Sequence, residues 1–95
     1  MAKLSDMARL KELLLGMEKD LGMDDLSGVQ KNIVYAATML VNKRDEFETE
    51  AIRNHALLRD VSRSSFFRAL KNLTDAGYIK HRDGTQRASY QLLKK

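Results

Sequence analysis

The stretch SRSSFFRALKNLTDAG, Ser62–Gly77, decides the fold. Read as a helix capped by Ser62, it sets Phe66, Ala69, Leu70 and Leu73 at i, i+3, i+4 and i+7, a stripe that wants a core. The opposite face carries Ser64, Arg68 and Lys71, with Arg63 and Phe67 on its flank. That face suits a polar, negatively charged neighbour. Ser65 is placed to satisfy the helix start rather than to reach outward.

The flanks of this helix are equally specific. Before it, Arg59-Asp60-Val61 is a tight link whose one apolar residue, Val61, would plug the angle between two steeply crossing helices. After it, Gly77 suits a left-handed helix exit. Tyr78–His81 is β-prone, and Ala88–Leu92 alternates small or apolar with polar residues. Asp83-Gly84 between them signals a hairpin, with Arg82, Thr85, Gln86 and Arg87 around its tip.

Toward the N-terminus, Ser27-Gly28-Val29-Gln30 has the pattern of a capping box, so a helix begins near Gly28. Ile33, Val34, Ala37, Leu40 and Val41 carry it to about Asn42 as the central core helix. Lys43–Glu48 is a polar connection with a short extended piece around Phe47. Thr49 then caps a third helix that runs to near Leu58 and turns Ile52, Ala56 and Leu57 inward.

The first segment, Leu4–Leu21, places Leu4, Met7, Leu10, Leu14, Met17 and Leu21 on one stripe, broadened by Leu13 and Leu15. Two readings of this long amphipathic helix stay open: it packs on its own domain, or it dimerises as a short coiled coil. Gly16 in mid-helix costs about 1 kcal/mol relative to alanine, which close helix contact would offset. Gly22–Asp25 is a hinge. The expected organisation is therefore residues 1–25 as a dimerisation helix and hinge, and residues 26–95 as a second unit.

Ninety-five residues make one small domain that buries about two-thirds of its unfolded surface, so an oligomeric contact is an expected source of further stability. The net charge is +4 and the pI about 9.5. Residues 1–25 hold four Lys/Arg against six Asp/Glu, whereas residues 59–95 hold nine against three. The basic excess belongs to the C-terminal third, where it can supply phosphate contacts and steering.

The composition also excludes several classes. Without cysteine there is no disulfide framework and no thiolate metal site, and the cytoplasm is the default location. Asp6, Lys11 and Glu12 interrupt the apolar N-terminus, which suits neither a signal peptide nor a membrane span. His55 reads as a half-buried packing residue, while His81 can face a phosphate; neither belongs to a metal set. Asp24-Asp25 and Glu46, Glu48, Glu50 lack the glycine-spaced loop of a calcium site. With no phosphate-cradling loop and no nucleophile constellation, neither catalysis nor a cofactor is expected.

Taken in order, the elements resemble a winged helix-turn-helix domain, mainly α with a small β-hairpin and preceded by a long N-terminal amphipathic helix. The run Val61-Ser62-Arg63-Ser64-Ser65-Phe66 through Arg68, Leu70 and Leu73 to Gly77-Tyr78-Ile79 is similar to the recognition helix of MarR-like and, less closely, GntR-like bacterial regulators. Arg87-Ala88 after Asp83 resembles the Asp-x-Arg-Ala of the MarR wing, with spacing two residues longer. The resemblance covers residues 26–93. MarR-family chains continue past the wing into dimer-forming helices, whereas here the sequence reaches Lys95 directly after the second wing strand. The expected homodimer therefore leans on residues 1–21.

What the resemblance implies is sequence-specific binding of double-stranded DNA, an inverted repeat, by a small cytoplasmic, nucleoid-associated transcriptional regulator. Helix 62–76 would enter the major groove, with Arg63, Ser64, Phe67 and Arg68 at base edges and Lys71 on the backbone. Phe67 has two readings, a thymine methyl contact or packing against the wing. The wing, 80–90, would bring Arg82, Thr85, Gln86 and Arg87 to the minor groove or backbone. Two other functions compete: a winged-helix protein–protein interaction module, and a replication or chromosome protein that binds DNA without sequence preference.

Overall fold

The computed structural model describes residues 3–81 and 89–93. Among the described residues, four α-helices, α1 (Leu4–Asp20), α2 (Gly28–Leu40), α3 (Thr49–Arg53) and α4 (Arg63–Asp75), accompany three strands, β1 (Glu46–Glu48), β2 (Ile79–His81) and β3 (Ser89–Leu92). A 3-10 turn, Ala56–Leu58, lies between α3 and α4. The fold is mainly α with a small antiparallel sheet.

The helix boundaries follow from their caps. Ser27 and Gln30 close the capping box in both directions: Gln30 N–H donates to Ser27 Oγ at 3.2 Å, and Ser27 N–H donates to Gln30 Oε1 at 2.8 Å. Ser62 Oγ accepts from Ser65 N–H at 3.2 Å and starts α4. At its other end Gly77 has φ +83°, and Tyr78 N–H and Gly77 N–H reach back to the carbonyls of Leu73 and Thr74. This Schellman closure needs the left-handed backbone that glycine adopts without strain.

The same closure follows α1 at Gly22, where the segment Gly22–Asp25 begins. Gly22 has φ +74°, and Met23 N–H and Gly22 N–H bond the carbonyls of Glu18 and Lys19. Met23 is buried, and Tyr78 Oη donates to the Gly22 carbonyl at 3.4 Å. The third helix is shorter than expected. Glu48, not Thr49, occupies the position before it, and it stops at Arg53 because His55 turns extended and caps the following 3-10 turn through Leu57 N–H. The change of helix type turns Leu58 inward and leaves Ala56 and Leu57 exposed. In α2, which ends at Leu40, Ala36 is buried and Leu40 points outward.

Phe66, Ile33, Ile52, Leu70, Leu73 and Ile79 form the fully buried centre, drawn from α2, α3, α4 and β2. Val61 packs against this cluster from the link before α4, as the sequence required. The extended piece at Phe47 becomes the third strand: β3 lies between β1 and β2, antiparallel to both. Tyr90 is thereby paired with Phe47 on one side and His81 on the other, ring centroids 5.8 and 4.4 Å away. Burial pushes the Tyr90 hydroxyl pKa up.

α1 does not join this core. Its apolar stripe stays in solvent, and its attachment runs through a buried acid, Glu18, which accepts from Lys31 Nζ at 3.0 Å and from Tyr35 Oη. The Tyr35 and Lys31 hydrogen bonds hold the Glu18 carboxyl below its ordinary pKa. Burial, with the Glu18 contact, pushes Tyr35 up to about 12. Among the described residues, a Cβ added at Gly16 would meet nothing within 4 Å, so no close contact there explains that glycine. No helix among the described residues is long and apolar enough to cross a membrane.

Candidate nucleic-acid interface

α4 separates its two faces as the periodicity requires. Phe66, Ala69, Leu70 and Leu73 are buried, while Arg63, Ser64, Phe67, Arg68 and Lys71 are exposed. Ser64 lies beside the cap, its Oγ 3.5 Å from that of Ser62. Ser65 supplies the capped N–H and is half-buried.

The charge placement on α4 runs against its own dipole. A helix N-terminus carries partial positive charge and favours acids, yet the first turn of α4 contains no acid and opens with Arg63. Asp75 sits at the opposite, negative end. Each such placement costs about 0.3–1 kcal/mol at an exposed site. A helix chosen only for stability would reverse these charges.

An aromatic shelf holds Arg63 where it is. Its guanidinium lies 5.0 Å from the Phe67 ring centroid, and Phe67 itself meets Phe66 edge-on at 5.2 Å. Arg53, arriving from α3, sits 5.7 Å from the Phe67 ring and 5.8 Å from Phe66. Phe67 therefore serves as a support for two arginines. This role differs from both a thymine methyl contact and packing against the wing.

Two shallow depressions border α4. One is lined by Thr49, Arg53, Asn54, Arg59 and Phe67, between α3 and α4. The other, lined by Ser27, Gln30, Arg68 and Asn72, lies between α4 and the start of α2. Arg68 lines the second depression, and Arg63 neighbours the first through its contact with Phe67. Guanidinium groups stay charged at any physiological pH and offer forked donors that match a phosphate or the edge of a guanine.

Arg53 and Arg59 are basic residues of this surface that sequence reasoning left out. The available signal was the adjacent pair Phe66-Phe67: only one ring fits the core stripe, so the other needs a partner, and a cation on the preceding helix provides it. His55 is half-buried and committed to the 3-10 turn. His81 is exposed on β2 and packed on Tyr90, with Lys80 exposed beside it. The expected wing residues Arg82, Thr85, Gln86 and Arg87, with the Asp83-Gly84 turn, lie outside the described residues. Comparison of the chain with protein-family models, with curated proteins and with solved structures gives no match.

Proposed function

We propose that this chain is a winged helix-turn-helix protein that binds double-stranded DNA sequence-specifically, as a small dimeric transcriptional regulator with α4 as its recognition helix. The observation that carries the reading is Arg63. It occupies the helix end where its own charge is unfavourable, exposed and braced on Phe67. Violations of local preference with a structural brace are expected at functional positions. A negatively charged partner at the α4 N-terminus would offset the cost.

In this reading Arg63, Ser64 and Arg68 face base edges in the major groove, and Lys71 meets the backbone. Arg53 and Arg59 hold phosphates beside the groove. The strand pair β2–β3 carries the wing. Two copies related by a twofold axis would read half-sites about 34–36 Å apart, so the site is an inverted repeat.

Selection of bound duplexes from a random pool, followed by salt titration on selected and scrambled sequences, tests the proposal. A selected sequence bound at least about 1,000-fold more tightly than scrambled DNA supports specific recognition. Equal affinity for every duplex, falling steeply with salt, would assign the surface to unspecific phosphate binding. No DNA binding would leave α4 as a surface for an acidic protein.

A further inference from the structure

Among the described residues, apolar side chains left in solvent are concentrated on α1 and the Leu21 that closes it, Leu10, Met17 and Leu21 being 63%, 61% and 65% exposed. We infer that this face docks on the same face of a second copy, the two α1 helices lying parallel as a two-stranded coil. The inference concerns how the copies associate and stands or falls without DNA.

The spacing defines the seam. Met7, Leu14 and Leu21 repeat every seven residues, and Leu10 and Met17 fall between them at the alternating three- and four-residue steps of a coiled coil. Lys11, Leu14, Leu15 and Glu18 border the groove toward α2, so the body of each copy lies along one flank of the helix. Leu14 is thus the seam residue nearest the body, while Leu10, Met17 and Leu21 stay open.

Charge selects the orientation. With Met7, Leu14 and Leu21 at the first core position, Asp6 and Leu13 flank the seam on one side and Lys11 and Glu18 on the other. In a parallel pair Asp6 meets Lys11 of the second copy, twice by symmetry, while Glu18 is already buried against Lys31 and Tyr35 of its own chain and adds no charge to the seam. All five core layers then match like with like. A fully overlapped antiparallel pair would set Lys11 against Lys11, Asp6 against Asp20, and Leu21 against Lys3. Parallel pairing also leaves both copies of α4 at the same end of the dimer, because each α1 leads into its body at its C-terminus.

Gly16 lies on the outer side of this arrangement, away from the seam. Its replacement by alanine should strengthen α1 and leave the dimer intact or tighter.

The chain has no cysteine, which makes the test direct. Lys3 falls one seven-residue step before Leu10, so Lys3→Cys places two thiols across a parallel seam. About 25 Å of helix would separate them in an antiparallel one. Sedimentation of the full chain should give a dimer, and Lys3→Cys should form an intermolecular disulfide under mild oxidation. Leu10→Lys should give a monomer with an unchanged near-ultraviolet circular dichroism spectrum. Asp6→Lys and Lys11→Asp should each weaken association several-fold, and the double reversal should restore it. A monomeric full chain, a dimer that survives Leu10→Lys, or one that crosslinks only when Lys3→Cys is mixed with Leu21→Cys would overturn the inference.

Discussion

Arg53 on α3 and Arg63 on α4 share one aromatic ring: their guanidinium groups lie 5.7 and 5.0 Å from the centroid of Phe67. The two arginines are ten positions apart in sequence, and only the turn at His55–Leu58 brings them to the same side chain. Sharing Phe67 makes the orientation of Arg63 depend on α3. Exposed cation–π contacts of this kind contribute about 0.5–1 kcal/mol each.

Replacing Phe67 with alanine should therefore act twice. Thermal stability should fall by about 1–2 kcal/mol, through the lost edge contact with Phe66 and the two cation–π contacts. DNA affinity should fall by more than removal of one contact, because both arginines lose their support. A double-mutant cycle between Arg53→Ala and Phe67→Ala, read by denaturant unfolding, should give a coupling of about 0.5–1 kcal/mol; additive effects would mean the stacking contributes nothing.

Arg63→Ala separates stability from function. The variant loses its stacking on Phe67 but also loses an unfavourable charge at a helix N-terminus, so unfolding free energy should stay within about 0.5 kcal/mol of wild type. DNA discrimination should fall by about 1–3 kcal/mol at one base position. Lys71→Ala should instead weaken all sequences alike and lower the slope of log affinity against log salt by about 0.9. Binding measured across two duplexes and four salt concentrations distinguishes the two patterns.

Glu18 makes the attachment of α1 sensitive to acid. Its carboxyl is held below the ordinary value by Tyr35 and Lys31, so the stabilisation is fully present above the unfolded carboxylate pKa of about 4.3 and is lost as pH falls through the lowered folded value. Glu18→Gln should remove that acid-side dependence and cost about 1–3 kcal/mol at neutral pH. Tyr35 gives the opposite limb: raised to about 12, it contributes stability that is lost as pH rises from about 10 through 12. Unfolding followed by circular dichroism between pH 2.5 and 7 reads the first limb.

Gly77→Ala should cost about 1–2 kcal/mol, although a Cβ there meets no neighbour within 4 Å. The cost lies in the backbone at φ +83° alone. Chemical denaturation should show a lowered midpoint with an unchanged slope.

Much of this architecture is legible in the residues because several local signals agree. Ser27 with Gln30, Ser62 with Ser65, and Gly77 after Asp75 each mark a helix end by a hydrogen bond that the side chain or backbone can make locally. The stripe Phe66, Ala69, Leu70, Leu73 needs only its own period. The third strand was legible only as an extended piece, since its partner β3 lies more than forty residues away and pairing is a long-range event. The stop at Arg53 was hidden for a different reason: His55 looks like an ordinary helical residue until its ring nitrogen is seen to accept from Leu57 N–H. Arg53 was missed because the adjacent rings Phe66-Phe67 signal only that one of them needs a partner outside the core stripe, not that α3 supplies it.

Arg63→Ala combined with Arg68→Ala tests most directly whether the exposed face of α4 reads DNA. The measurement is fluorescence-anisotropy binding to a duplex selected by the wild-type chain, alongside thermal unfolding of the same samples. Unfolding should stay close to wild type, and affinity for the selected duplex should fall to that for scrambled DNA. Selected-site affinity and discrimination equal to wild type in a folded double variant would contradict DNA reading by α4.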